Sequence, residues 1–391
     1  MTILRRVGLR AAAAGTCLVA LFGAAACGTD TAPAGADRVG AIQEALDATV
    51  RGGFPGAQAV LTTDAGDRTV TAGVGDIATG APFPVDARVR IGSNTKTFVA
   101  TVVLQLVAEG KIELDAPIER YLPGVVHGSG NDGNRITVRQ LLQHTSGLPD
   151  YLAGGDPELR AERGTAQLEV DTEAVRWQRY TPAELVRLAM TMPPRHEPGT
   201  RSVYTNTNYV LLGMLIQQTT GRTASAEITA RIIEPLGLRD TWFPAAGETG
   251  ISGPHPIGYQ EIDGERVAFT DLDPSWADAA GAMIATGSDL NRFFRALVDG
   301  KLLPAAQLDE VRRTVPFDRM PEAGYGLGLI HLPNSCGKEV WGHGGSIPGF
   351  ETRTGVTDDG LAVTLTVNQL PTSEENAELV QRAFDAAICS Q

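Results

Sequence analysis

One α/β (α+β) domain, with a sheet assembled from both ends of the chain and a long helical insertion between them, is the fold class that the sequence predicts. Three observations carry it. Strand patterns occur near the N-terminus and return near the C-terminus, and the stretch between them reads mostly as helix and loop. The 391 residues are 42% apolar, enough to bury one large core.

The first residues are read as an export signal rather than as fold. Arg5, Arg6 and Arg10 precede a small and apolar run from Ala11 to Ala26 that is short for a transmembrane span. Residues 1–26 are therefore expected to be a signal peptide, residues 27–36 a flexible tether and residues 37–391 the folded domain. Ala24-Ala25-Ala26-Cys27 fits a bacterial lipoprotein signal, with a lipid on Cys27 as the sole membrane attachment; it also suits ordinary cleavage after Ala26. The location expected is outside the cell, at the membrane surface. With Cys17 lost in the signal, Cys336 and Cys389 remain in an oxidising compartment and are expected to pair, the alternative being two buried thiols.

Asp37 to Arg51 has helical periodicity and stops at Gly52-Gly53. Gln58 to Thr63 and Arg68 to Val74 read as a hairpin around Asp64-Ala65-Gly66-Asp67. Ser93 to Glu109 is helical and apolar on most faces, which places it in the core, with Gly110 as its stop. The insertion runs from about Leu114 to Phe269. Within it, Thr181-Pro182-Ala183-Glu184 is a capping box with Pro at the first helical position, and Tyr209 to Thr219 is a second apolar helix ending at Gly221. Asp289 to Val298 is amphipathic. Strands are expected at Tyr325 to Ile330, Glu339 to Gly342, Phe350 to Val356 and Leu361 to Val367, and a last helix at Ser373 to Ile388.

Composition excludes several functions. The net charge of −13 and the absence of a Lys/Arg block argue against nucleic-acid binding. No His, Asp or Cys cluster has metal-ligand spacing, so no metal or other cofactor is expected. No Gly-x-Ser-x-Gly surrounds a candidate serine.

Three short motifs remain. Ser93 and Lys96, three apart at the start of a buried helix, share one face, so the lysine can hold the serine proton if burial disfavours its ammonium form. The same spacing recurs at Ser335 and Lys338, but there it straddles the cysteine expected to be bridged and lacks a helix start. Tyr204-Thr205-Asn206 supplies a phenol, whose proton a nearby lysine would loosen, and an amide for Lys96 and a substrate carbonyl. His343-Gly344-Gly345 ends a strand-like segment with two small residues, against which a substrate backbone can lie; the Ser93 and Ser346 N–H groups are candidates for an oxyanion hole. Ser93 can alternatively be a helix cap for the Lys96 N–H, but capping leaves a buried lysine unexplained.

Ser-x-x-Lys, Tyr-x-Asn and His-x-Gly, in this order, resemble the signatures of the penicillin-recognising serine hydrolases, the class C β-lactamases and secreted D-alanyl-D-alanine carboxypeptidases. The resemblance extends from about Asp37 to Cys389 through Leu104-x-Leu106-x-x-x-Gly110-Lys111, His144-Thr145-Ser146-Gly147-Leu148, Ser275-Trp276 and Tyr325-Gly326-Leu327-Gly328-Leu329. It implies a β-lactamase/transpeptidase-like fold, an antiparallel sheet flanked by helices with a mostly helical subdomain. It also implies Ser93, Lys96, Tyr204, Asn206 and His343 as catalytic residues, and Gly344, Gly345 and Trp276 as substrate contacts. The activity implied is a D-alanyl-D-alanine carboxypeptidase acting through an acyl-enzyme on Ser93, as a monomer on a small peptide, β-lactam or ester. A β-lactamase or carboxylesterase on the same fold, and a non-catalytic penicillin-binding envelope protein, are the alternatives. Two departures affect the substrate. Gly344 stands where the carboxypeptidases carry a hydroxyl, and Ile330 with His331 stands where they place an arginine for the substrate carboxylate. His144 is expected to be a satisfied structural histidine.

Overall fold

A computed structural model describes residues 34–152, 167–170 and 172–390. The expected signal peptide and Cys27 lie outside the described residues. The first helix begins at Ala34, so it takes up the last three residues expected of the tether. Nine antiparallel strands form the main sheet, in the spatial order Val315–Pro316, Gly324–Tyr325, Ile330–His331, Val340–Ile347, Phe350–Thr357, Ala362–Val367, Gly56–Thr63, Gly66–Asp76 and Ala81–Pro82. The N-terminal hairpin joins the C-terminal strands where Ala59 pairs with Leu365. Closure of the sheet therefore waits for both chain ends, a long-range pairing that costs loop entropy before it gains contacts.

Two layers cover the sheet. On one face the first helix and the last, Glu374–Cys389, pack Ile42 and Leu46 against Val380, Phe384 and Ile388. The predicted disulfide is present between Cys336 and Cys389, Cα atoms 5.6 Å apart, and ties this last helix to the loop before the Val340 strand. On the other face lie Asn94–Ala108, Asn206–Thr220 and Gly287–Val298. Gly110 (φ 71°) and Gly221 (φ 73°) end the first two of these in the left-handed conformation that glycine adopts without strain. The Thr181–Glu184 capping box forms as the sequence indicates.

Two strand expectations are corrected. Tyr325 to Ile330 is not one strand: Gly324–Tyr325 and Ile330–His331 pair as separate short strands. Gly326 and Gly328 make the turn between them. A Cβ on Gly326 would come 1.9 Å from the Val311 carbonyl oxygen, and Gly328 (φ 80°) sits against Ala100. His343-Gly344-Gly345 does not end a strand either, because it lies in the middle of Val340–Ile347. The insertion also holds a hairpin, Tyr259–Ile262 with Glu265–Ala268.

Candidate active site

Ser93 is the N-cap of the buried Asn94–Ala108 helix, but its side chain makes no capping bond. Lys96, fully buried one turn on, lies 2.9 Å from Ser93 Oγ. Its Nζ also lies 2.9 Å from Asn206 Oδ1 and 2.7 Å from the Ala280 carbonyl oxygen. A neutral amine has two N–H donors and one lone pair. Two donors meet the two carbonyl-type oxygens, which leaves the lone pair for the Ser93 hydroxyl proton. Burial pushes the Lys96 ammonium well below the usual lysine range; Asp150 opposes the shift and Arg319 adds to it.

Asp150 fixes the amide that faces Lys96. One carboxylate oxygen, Oδ2, accepts from both the backbone N–H and the side-chain Nδ2 of Asn206, each at 3.0 Å. A carboxylate accepts only, so the amide nitrogen faces Asp150 and Oδ1 is turned to Lys96.

Tyr204 lies above Lys96, whose Nζ is 4.8 Å from the ring centroid. Its hydroxyl has no hydrogen-bond partner of good geometry among the described residues. Burial raises its pKa, although Arg319 and the nearby Ser93 hydroxyl oppose the shift. Burial therefore works against the expected loosening of the phenol proton.

His343 lines the same cleft, held by two hydrogen bonds. Nδ1 donates to the Gly344 carbonyl oxygen (2.6 Å) and Nε2 accepts from the Tyr325 hydroxyl (3.0 Å), so neither nitrogen is free for proton transfer. Burial lowers its pKa to about 3, so the ring is neutral at physiological pH. Burial also pushes the pKa of His144 well below the usual histidine range, and its ring lies tilted against Tyr204 with centroids 4.1 Å apart. Its Nδ1 accepts from Thr205 N–H and Asn208 Nδ2, but Nε2 has no partner among the described residues, so it is satisfied on one side only.

The two expected oxyanion donors meet through glycine. A Cβ on Gly92 (φ 48°) would come 2.8 Å from Ser346 N, so only glycine lets the loop before Ser93 lie this close to the strand. Gly345 serves the same packing, because a Cβ there would come 2.0 Å from the Ile91 carbonyl oxygen. Gly344 instead leaves room for a guanidinium: its Cβ would lie 3.0 Å from Arg353 Nη1.

These groups open into a cleft of about 530 Å³. Ser93, Tyr204, Asn206, His343, Gly344, Gly345, Ser346 and Trp276 all line it, so the candidate site residues are brought together. The beta-lactamase family model matches residues 39–388. The chain belongs to the beta-lactamase family. It is a serine hydrolase of the superfamily that includes penicillin-binding proteins, esterases and amidases. Its fold is similar to that of a D-stereospecific amidohydrolase from Streptomyces sp., with 41% identity, a TM-score of 0.79, and coverage of 90% of this chain and 99% of that one. It is also similar to the D-amino acid amidase of Ochrobactrum anthropi SV3, with 29% identity, a TM-score of 0.75, and coverage of 90% and 98%. Esterase EstB of Burkholderia gladioli is 31% identical, over 66% of this chain and 70% of the esterase. The chain spans 63% of the length of PbpX of Bacillus subtilis, at 25% identity.

Sequence reasoning missed Asp150, Arg319 and Arg353 in this hydrolase. Asp150 sits six residues after His144, two beyond the His144–Leu148 segment that carries the resemblance, and that was the available signal. Arg319 and Arg353 carry no motif; a loop and a neighbouring strand bring them to the cleft. No carboxylate lines the cleft among the described residues, and no group of acidic, His or Cys side chains there has the makings of a metal site.

Proposed function

We propose that this hydrolase cleaves amides, esters or short peptides of D-amino acids through an acyl-enzyme on Ser93. The observation that carries the reading is the Ser93–Lys96 contact at a buried helix start, in a fold similar to those of a D-stereospecific amidohydrolase and a D-amino acid amidase. Neutral Lys96 takes the Ser93 proton as Oγ attacks the carbonyl carbon. The oxyanion is held by the Ser93 and Ser346 N–H groups, and Ser93 N–H donates to no other described acceptor. Tyr204 gives its proton to the departing amine as the scissile bond breaks, and the Lys96 ammonium restores it. Water then repeats the cycle on the ester. The D-alanyl-D-alanine carboxypeptidase is the narrower member of this class, in which the leaving group is a terminal amino acid.

The setting proposed is the outer face of a cell membrane, through a lipid on Cys27; the Cys336–Cys389 disulfide supports an oxidising compartment. No helix among the described residues is long and apolar enough to cross a membrane.

Ammonia release from D- and L-alaninamide, beside Ser93→Ala, tests the activity. The D-amide should be turned over about a hundredfold faster or more, a difference of roughly 3 kcal/mol, and Ser93→Ala should be inactive. Preference for the L-amide, or turnover of benzylpenicillin with no turnover of either amide, would sink the reading.

A further inference from the structure

His144 lies beside Tyr204 yet takes no part in the proton transfers among Ser93, Lys96 and Tyr204. It is fully buried, and its backbone lies in the left-handed region (φ 61°), which a residue other than glycine adopts at a cost. That turn brings it against the chain on both sides of Tyr204. The His144 carbonyl oxygen accepts from Val203 N–H at 2.9 Å, and Nδ1 accepts from Thr205 N–H at 3.3 Å. Between these two bonds the imidazole lies against the Tyr204 ring, the two planes inclined by 32°. The segment that carries Tyr204 is fastened to the same loop twice more. Gly199 N–H donates to the Thr145 carbonyl oxygen, and Arg195 N–H to that of Gly147.

The partners of His144 fix its tautomer. Ser146 Oγ accepts from Leu148 N–H and donates to Asn208 Oδ1 at 2.7 Å. The Asn208 amide nitrogen is thereby turned to His144 Nδ1, 3.1 Å away. Nδ1 faces two donors and keeps its lone pair, so the ring proton sits on Nε2, which is buried without a hydrogen-bond partner among the described residues. A buried donor left unpaired is costly, which weighs against cohesion as the reason for a histidine here. Phenylalanine offers a ring face but no acceptor for Thr205 N–H, and asparagine offers an acceptor but no face. An imidazole supplies both.

We infer that His144 is a positioning residue for Tyr204, holding the backbone on both sides of it and its ring face, so that the phenol keeps its place in the cleft shared with Ser93. This role rests on the amidohydrolase reading, in which Tyr204 is the acid. As the carbon–nitrogen bond breaks, the Tyr204 proton passes to the amine nitrogen, and the phenolate takes its replacement from the Lys96 ammonium. His144 gives and takes no proton in this cycle. Without it the phenol is less well placed, and departing groups that need the proton are slowed most.

D-Alaninamide and the p-nitrophenyl ester of D-alanine form the same acyl-enzyme. Only the amide needs a proton on its leaving group, because p-nitrophenolate departs as a stable anion. The amide-to-ester ratio of kcat/KM therefore reads the acid step. His144→Asn keeps an acceptor and tolerates the left-handed backbone, and His144→Phe keeps the ring; each should lower the ratio about tenfold or more. Tyr204→Phe should lower it further. A fall in one His144 variant alone keeps the role and assigns it to the ring or to the acceptor. A circular-dichroism melt checks folding. Equal losses on both substrates, an unchanged ratio in both variants, or failure of both to fold would make His144 a structural residue and overturn the inference. The amidohydrolase reading would still stand on wild-type turnover of D-alaninamide and a lowered ratio in Tyr204→Phe. If the wild type does not cleave D-alaninamide, or Tyr204→Phe leaves the ratio unchanged, that reading falls and the positioning role with it.

Discussion

The two faces of the main sheet are covered by helices of different character. The first and last helices bring Ile42, Leu46, Val380, Phe384 and Ile388 against Val363 and its sheet neighbours, a layer closed by the disulfide. On the other face Asn94 and Lys96 of the Ser93 helix and Asn291 of the Gly287–Val298 helix are buried with Thr352, Thr354 and Thr364 of the sheet, and each polar group there needs a partner. Asn94 finds Thr352, Asn291 finds Val60 and Thr364, and Lys96 finds three oxygens. One layer contributes cohesion. The other spends cohesion on position, because a buried amine is worth holding only where its lone pair is used.

Substitutions should separate the layers. Lys96→Ala should reduce kcat/KM by about a thousandfold or more while leaving a folded protein, measured by steady-state kinetics beside a thermal melt. Phe384→Ala should do the reverse: about 3–5 kcal/mol less stable in urea unfolding, with kcat of the folded fraction unchanged. If Phe384→Ala lowers kcat instead, the layers are not separable.

A smaller effect sharpens the same contrast within the site. Asp150→Asn should allow the Asn206 amide to turn its nitrogen toward Lys96, costing about ten- to a hundredfold in kcat with little change in KM. Unchanged kcat would show that another group fixes the amide.

The motif residues were legible because the chemistry is local: Ser93 and Lys96 are one helical turn apart, and Tyr204 and Asn206 flank one helix start. Their roles were less so. Burial, which no motif records, keeps Tyr204 protonated and turns His343 into an internal hydrogen-bond link. The false strand at Tyr325 to Ile330 had a similar origin, since its alternation looked extended while its two glycines were fitted to Val311 and Ala100. Most strands and helices were readable from apolar periodicity with turn and cap signals, and the antiparallel sheet flanked by helices from the family resemblance, whereas Arg319 and Arg353 reach the cleft only through tertiary structure.

The smallest expected effect is on acid stability. The unfolded chain protonates His343 near its ordinary pKa of about 6.5, whereas the buried ring resists protonation until about pH 3. Between those values the unfolded state binds the extra proton, so stability falls as pH drops. The loss from this residue should be about 2 kcal/mol at pH 5, and His343→Gln should remove that part of the slope in melts from pH 7 to 5. An identical slope in the variant would place the acid sensitivity elsewhere.

Acylation of Ser93 with Lys96 as its base is read by acid-quenched intact-protein mass spectrometry. After brief mixing with a D-alanine p-nitrophenyl ester, the wild type should carry a D-alanyl adduct located by peptide mapping to Ser93. Lys96→Ala should acquire it at least about a hundredfold more slowly, and faster as pH is raised. An adduct on another residue, or acylation of Lys96→Ala at the wild-type rate, would contradict the account.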